Sequence, residues 1–210
     1  MDATPRATSP RPLRVLVVDD HPALRAGLQG LIGGEPDLEC VEALAGAEEL
    51  HDAVRSLRPS VLVLDYALGR EDGLSACFRL KQLARPPGVI LYSAYVDDVF
   101  AVPAAMAQAD AIVSKTAPAA ELLAAIRRVA AGVEQPPALD PELMEAASAR
   151  LLAEDLPIAG MLLGRTPVRD IGDVLGLTAG EVRACALRII GRLQAGHRTP
   201  DAGGQAAAPI

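Results

Sequence analysis

Between Leu13 and Gly132 the chain alternates two hydrophobic periodicities, and that alternation limits the folds open to it. Short apolar runs fall at Val15–Val18, Val61–Leu64, Val89–Leu91 and Ala111–Val113, with a weaker one at Leu38–Leu44. Between them run stripes at helical spacing: Leu24/Leu28/Leu31, Leu50/Val54/Leu57, Leu74/Phe78, Val99/Val102/Met106 and Leu122/Ile126/Val129. Strands that are apolar throughout have no solvent face, so the helices between them must cover both sides of a parallel sheet. Five such pairs in about 120 residues predict an α/β domain with a doubly wound five-stranded parallel sheet over residues 13–132. Thr116 as cap, Pro118 just inside and Gly132 at the end bracket its last helix.

The strand period does not return after residue 132. Residues 1–12, with Pro5, Pro10 and Pro12, read as a disordered lead; 133–139, with Pro136 and Pro137, as a linker; 199–210 as a disordered tail. Residues 140–198 read as a small all-α domain. Asp140-Pro141-Glu142 starts a helical stretch reaching about Asp155, and Thr166-Pro167 starts a helix through Leu175. Gly176-Leu177 is a tight turn, and Thr178-Ala179-Gly180-Glu181 fits a capping box opening a helix that carries Val182, Leu187, Ile190 and Leu193.

Composition removes several classes. The longest uncharged stretches, such as Pro86–Val96, fall far short of the ~20 residues of a membrane span, and no secretory h-region is visible near Met1. Cys40, Cys77 and Cys185 are odd in number and scattered, which argues against a disulfide framework or zinc site. A cytoplasmic protein is expected. The net charge is −7, a poor background for non-specific nucleic-acid binding, yet Gly160–Arg198 reverses sign with six arginines against three acids. Basic residues are 18 Arg to 2 Lys, which singles out Lys81 and Lys115.

In an open parallel sheet the chemistry sits at the carboxyl ends of the strands. There the first strand presents Asp19-Asp20, the third Asp65, the fourth Ser93, and the fifth runs into Lys115. Carboxylates that converge repel by roughly 4 kcal/mol per pair at 4 Å and an effective dielectric of 20. A divalent cation relieves this, and hard oxygen ligands favour Mg²⁺. A carboxylate beside Mg²⁺, an amine and a hydroxyl suits nucleophilic attack on a phosphoryl group.

These residues resemble the receiver domain of two-component response regulators. The resemblance rests on Val15–Pro22 as first strand and acidic pair, Val61–Asp65 with Gly73 eight residues on, Ser93-Ala94, and Lys115. It implies Asp65 as phosphoacceptor, Mg²⁺ held by Asp20, Asp65 and the main-chain carbonyl of Ala67 with Asp19 acting through water, and Ser93 and Lys115 stabilising the phosphoryl group. Two positions depart from the family: Gly69 stands where proline is common, and Ile112 where a switching aromatic is common. Tyr92 and Tyr95 flank Ser93 and are the alternative coupling residues.

Residues 160–195 resemble the helix-turn-helix of NarL/FixJ (LuxR-type) regulators and the fourth region of sigma factors, through Asp170–Leu177 and Glu181-Val182-Arg183. The resemblance implies a sensor histidine kinase as phosphodonor, promoter DNA as target and a homodimer as the binding form. Arg183, Arg188 and Arg192 are the DNA-contact candidates, since arginine grips guanine edges or phosphates. Glu181, Ala184 and Cys185 depart from the usual polar or basic contacts, so a second output stays open: docking to RNA polymerase or a sigma factor. An enzyme acting on the same acids is disfavoured, because Ala67 stands where a second catalytic acid would be needed.

Overall fold

The computed structural model describes residues 11–69, 71–94, 98–133, 136 and 138–195. The expected disordered lead, apart from residues 11–12, and the tail lie outside the described residues. The chain divides into two compact units, Met1–Ala138 and Leu139–Ile210.

The first unit is built on five parallel strands: β1 (Leu13–Val18), β2 (Leu38–Leu44), β3 (Val61–Asp65), β6 (Gly88–Ser93) and β7 (Ala111–Ser114), in the order β2-β1-β3-β6-β7. The helices are α1 (Pro22–Gly33), α2 (Leu50–Leu57), α3 (Gly73–Lys81), α4 (Asp98–Met106) and α5 (Ala119–Ala130). Period-two alternation divides the strand side chains between two faces. Val15, Val17, Val61, Val63, Ile90, Ala111 and Val113 form one core with Leu28 and Ile32 of α1 and Leu122, Ile126 and Val129 of α5. Leu16, Leu62, Leu64 and Leu91 occupy the alternate positions and are equally buried, with α3 packed on β3 and β6. Apolar residues on both faces are therefore the direct cause of a sheet with no exposed side.

Charged residues reinforce this frame. Asp110 is buried, accepts two hydrogen bonds from Lys81 Nζ (2.9 and 2.8 Å) and one from the Val89 N–H (2.6 Å), and so ties α3 to the β6 and β7 starts. Lys81, singled out by its rarity, is thus structural. Arg127 of α5 reaches Glu35 and Asp37 at the end of α1 (2.6 and 2.7 Å).

Two local expectations are corrected. Helix α5 begins at Ala119, with Pro118 in extended backbone (φ −55°, ψ 141°) outside it. Thr116 does not cap it, because its hydroxyl shares a 2.8 Å hydrogen bond with Ser114 Oγ. Between β3 and α3 lies an unforeseen miniature pair, β4 (Ala67–Leu68) and β5 (Glu71–Asp72), paired antiparallel.

The second unit holds α6 (Pro141–Ser148), α7 (Leu156–Leu163), α8 (Val168–Leu175) and α9 (Ala179–Gln194). The helical stretch expected to reach Asp155 breaks instead after Ser148, and α7 is a separate helix. The core is Ile158, Ala159 and Leu162 of α7, Val168 and Ile171 of α8, and Val182, Ala186, Ile189, Ile190 and Leu193 of α9. Leu187, expected on the buried stripe, is only half-buried; Ala186 and Ile189 take that face. Gly176 closes α8 in the left-handed region (φ 69°), and Leu177 N–H donates to Gly172 O at 2.9 Å. The capping box forms as expected, with Thr178 Oγ1 accepting from Glu181 N–H and the Glu181 carboxylate accepting from Thr178 N–H. No helix of the described residues is long and apolar enough to cross a membrane.

Candidate phosphoacceptor site

The carboxyl ends of β1, β3, β6 and β7 bring Asp19, Asp20, Asp65, Ser93 and Lys115 to one rim of the sheet. Parallel register does most of this: Val18 lies beside Leu64, Asp65 beside Tyr92, and Ser93 beside Ser114. The Lys115 N–H then donates to Ser93 O at 2.8 Å, which fixes the start of the lysine side chain.

Lys115 Nζ donates to Asp19 Oδ2 at 2.8 Å and stands 2.8 Å from Asp65 Oδ2. One ammonium therefore joins two carboxylates that are almost wholly buried, as is Ser93. Asp19 Oδ1 accepts the His21 N–H at 2.8 Å, and Arg25 donates to the Asp19 carbonyl at 2.7 Å, so the acidic pair is anchored from α1. Ala67 N–H donates to Asp65 Oδ1 at 3.3 Å. His21, at the start of α1, places Nδ1 2.7 Å from Asp20 Oδ1. Tyr92 lies beneath the ammonium, its ring centroid 5.9 Å from Lys115 Nζ. Tyr95 lies outside the described residues.

Gly73 is required here by contact. A Cβ on it would fall 2.1 Å from the Asp65 carbonyl oxygen and 3.0 Å from Tyr66 Cα, both backbone atoms. The glycine lets α3 start directly against the Asp65 main chain, where its N–H donates to Tyr66 O at 2.8 Å.

Burial pushes the Asp65 carboxyl up from its ordinary value, while the hydrogen bond and charge of Lys115 pull it back. Burial acts to lower Lys115, but its bonds to Asp19 and Asp65 outweigh that and leave it raised. The ammonium is thus held charged by the two acids it joins.

The donor set fits a hard divalent cation. Single ligand atoms from Asp19, Asp20, His21 and Asp65 all lie within 4.8 Å of one another. Asp20 Oδ1 and Asp65 Oδ2 are buried oxygens, with His21 Nδ1 2.7 Å from the first and Lys115 Nζ 2.8 Å from the second. Carboxylate oxygens gathered this closely suit a magnesium-class ion, which takes hard oxygen ligands.

In the second unit the structure separates the three arginines expected to meet DNA. Arg188 Nη2 donates to Asp155 Oδ1 at 2.7 Å, and Arg192 Nη1 donates to Asp155 Oδ2. Asp155 is fully buried at the start of α7, so both guanidiniums serve the packing of α9 on α7. Arg183 lies exposed in the first half of α9. Arginines 188 and 192, one turn apart, share a face and therefore one acid; that acid lies in another helix, which the spacing alone does not reveal.

A parallel sheet in this order, with an acidic pair, a third acid, a hydroxyl and a lysine at its carboxyl rim, defines a flavodoxin-like acid-pocket domain. The chain belongs to the response regulator receiver domain family, whose model matches residues 15–127. It is similar to the transcriptional regulatory protein LiaR of Bacillus subtilis, 28% identical over 205 residues spanning 89% of this chain and 93% of that protein. It is also similar to the nitrate/nitrite response regulator protein NarL of Escherichia coli, 30% identical over 121 residues, 58% of this chain and 56% of NarL. Among solved structures, a LuxR-family two-component response regulator from an Aurantimonas species matches with TM-score 0.56 and 29% identity, covering 66% of this chain and 98% of that one. The protein is a two-component response regulator with relatives of the LuxR/NarL type.

Proposed function

We propose that Asp65 accepts a phosphoryl group from a sensor histidine kinase and that the modified chain regulates transcription through its helical unit. The carrying observation is the buried Asp65 carboxylate joined by Lys115 to Asp19 at the rim where the third acid, Asp20, also stands. In the transfer the P–N bond of a phosphohistidine breaks as a P–O bond to an Asp65 oxygen forms. Asp20, Asp65 and the Ala67 carbonyl would hold Mg²⁺, with Asp19 acting through water; the ion supplies charge neutralisation for the transferring group. Lys115 and Ser93 supply the remaining donors to its oxygens. Phosphorylation adds about −1.5 to −2 charges at pH 7 next to an ammonium already shared by two acids, which redistributes its bonds. Tyr92, packed under Lys115, is placed to register that change.

For output, we read α8, the turn at Gly176 and α9 as a helix-turn-helix that meets promoter DNA, with the exposed Arg183 among its contacts and a homodimer doubling them. Cytoplasmic placement follows from this reading. The second output, docking to RNA polymerase or a sigma factor, is favoured by one observation. Arg188 and Arg192 are engaged by Asp155, while Val174 (67% exposed) and Leu175 (36%) present apolar surface on α8.

One experiment tests both steps. The full chain and its Asp65→Asn variant are incubated with Mg²⁺ and acetyl phosphate, then examined by intact mass and by genomic DNA recovery at several salt concentrations. One added phosphoryl group on the wild type alone supports the acceptor assignment, and its absence refutes it. DNA recovery that falls linearly in log–log form with salt supports the DNA output; phosphorylated protein that recovers none transfers the output to a protein partner.

A further inference from the structure

At the opposite end of β1 from the acids, a groove of about 600 Å³ is lined by Arg14, Arg55, Ser56, Leu57 and Arg58. We propose that this groove binds the diphosphate group of a small anionic ligand. The site is separate from the acid pocket and shares no residue with it.

Three observations carry it. First, three arginines line one groove, Arg55 and Arg58 of them exposed, and among the described residues no carboxylate forms an ion pair with Arg14, Arg55 or Arg58. Arg127 of the same unit, by contrast, is paired with both Glu35 and Asp37. Glu39, the register neighbour of Arg14 on β2, does not pair with it. Second, Arg14 Nε is buried and has no hydrogen-bond partner, so this lining residue keeps an unsatisfied donor. Third, Arg58 caps α2 in the left-handed conformation (φ 48°, ψ 58°), a position that glycine normally fills and where a side chain carries strain. Complementing the C-terminal dipole of α2 would account for Arg55, but not for Arg14 on the strand or for Arg58 in that backbone state.

Guanidinium forks match phosphate oxygens bidentately, and three of them exceed what a single phosphate needs. Ser56 Oγ, one turn back, is spent on the Asp52 and Ala53 carbonyls and adds no donor.

The test is calorimetry on the full chain in magnesium-free buffer at fixed ionic strength, with pyrophosphate, orthophosphate and ADP as probes. Pyrophosphate is expected to bind at least about fivefold tighter than orthophosphate. Arg14→Gln and Arg58→Gly are each expected to weaken it about tenfold, the loss of one charge-assisted contact. Arg58→Gly is also expected to keep or raise the thermal midpoint, because glycine relieves the strained cap, so its weakened binding is not unfolding. ADP tighter than pyrophosphate identifies a nucleotide source for the diphosphate; ADP equal or weaker identifies an inorganic one. No heat with pyrophosphate, equal affinity for orthophosphate, or affinity untouched by both substitutions would overturn the proposal.

Discussion

Replacing Asp155 by asparagine is the sharpest probe of how the helical unit is held together. The carboxylate is fully buried and accepts hydrogen bonds from two guanidiniums, Arg188 at 2.7 Å and Arg192. Charge-assisted hydrogen bonds contribute about 1.5–3 kcal/mol each, and breaking a wholly buried ion pair costs about 3–5 kcal/mol. Here the acid is buried but the arginines are 44% and 35% exposed, so water recovers part of their solvation when the acid is lost. The expected loss is therefore about 2–4 kcal/mol, at the lower end of the two-bond sum. No tryptophan is present and the tyrosines, Tyr66, Tyr92 and Tyr95, all lie in the first unit, so fluorescence would miss the effect. Amide hydrogen exchange at Ile189 and Ile190, buried on α9, reads it directly. A loss of that size lowers protection by roughly 30- to 1,000-fold at one decade per 1.4 kcal/mol. Protection unchanged within about threefold would show that Asp155 does not organise α9 and would return Arg188 and Arg192 to the pool of DNA contacts.

Two further outcomes are expected. Gly73→Ala drives a Cβ to 2.1 Å from the Asp65 carbonyl oxygen, about 1 Å inside ordinary C···O contact; a shift of that order in the acceptor strand lowers acetyl-phosphate labelling about 100-fold, measured by intact-mass time courses. For pH, the Glu181 carboxyl is held below its ordinary value of 4.5, first by the Thr178 N–H and then by its hydroxyl. Its capping contribution is present above pH 4.5 and is lost as pH falls through the lower folded value, so NMR titration of the Thr178 amide gives a midpoint below 4.5.

The sheet was legible because its signal is local and repeated. Val15–Val18 and Val61–Leu64 are apolar at every position, and only a strand covered on both sides accommodates that. The site followed from strand ends, since parallel register alone brings Asp19, Asp65 and Ser93 to one rim. What was not legible rests on competition or on long range. Thr116 has the identity of a cap, but Ser114 captures its hydroxyl. The break after Ser148 hides in an Ala/Leu-rich stretch with good helix propensity throughout. The buried partner of Arg188 and Arg192 lies 33 and 37 residues away, where no periodicity reaches. The groove at Arg14, Arg55 and Arg58 joins a strand to the end of a helix 41 residues later, and only the folded chain makes them neighbours.

The position of Lys115 has a consequence for the proposed phosphorylation of Asp65. Because its ammonium already sits on the Asp65 carboxylate, phosphorylation there, as proposed above, would require no long excursion of a charged side chain from solvent. The counterion is in place beforehand, so on that reading an incoming group would replace one oxygen neighbour of the ammonium by another.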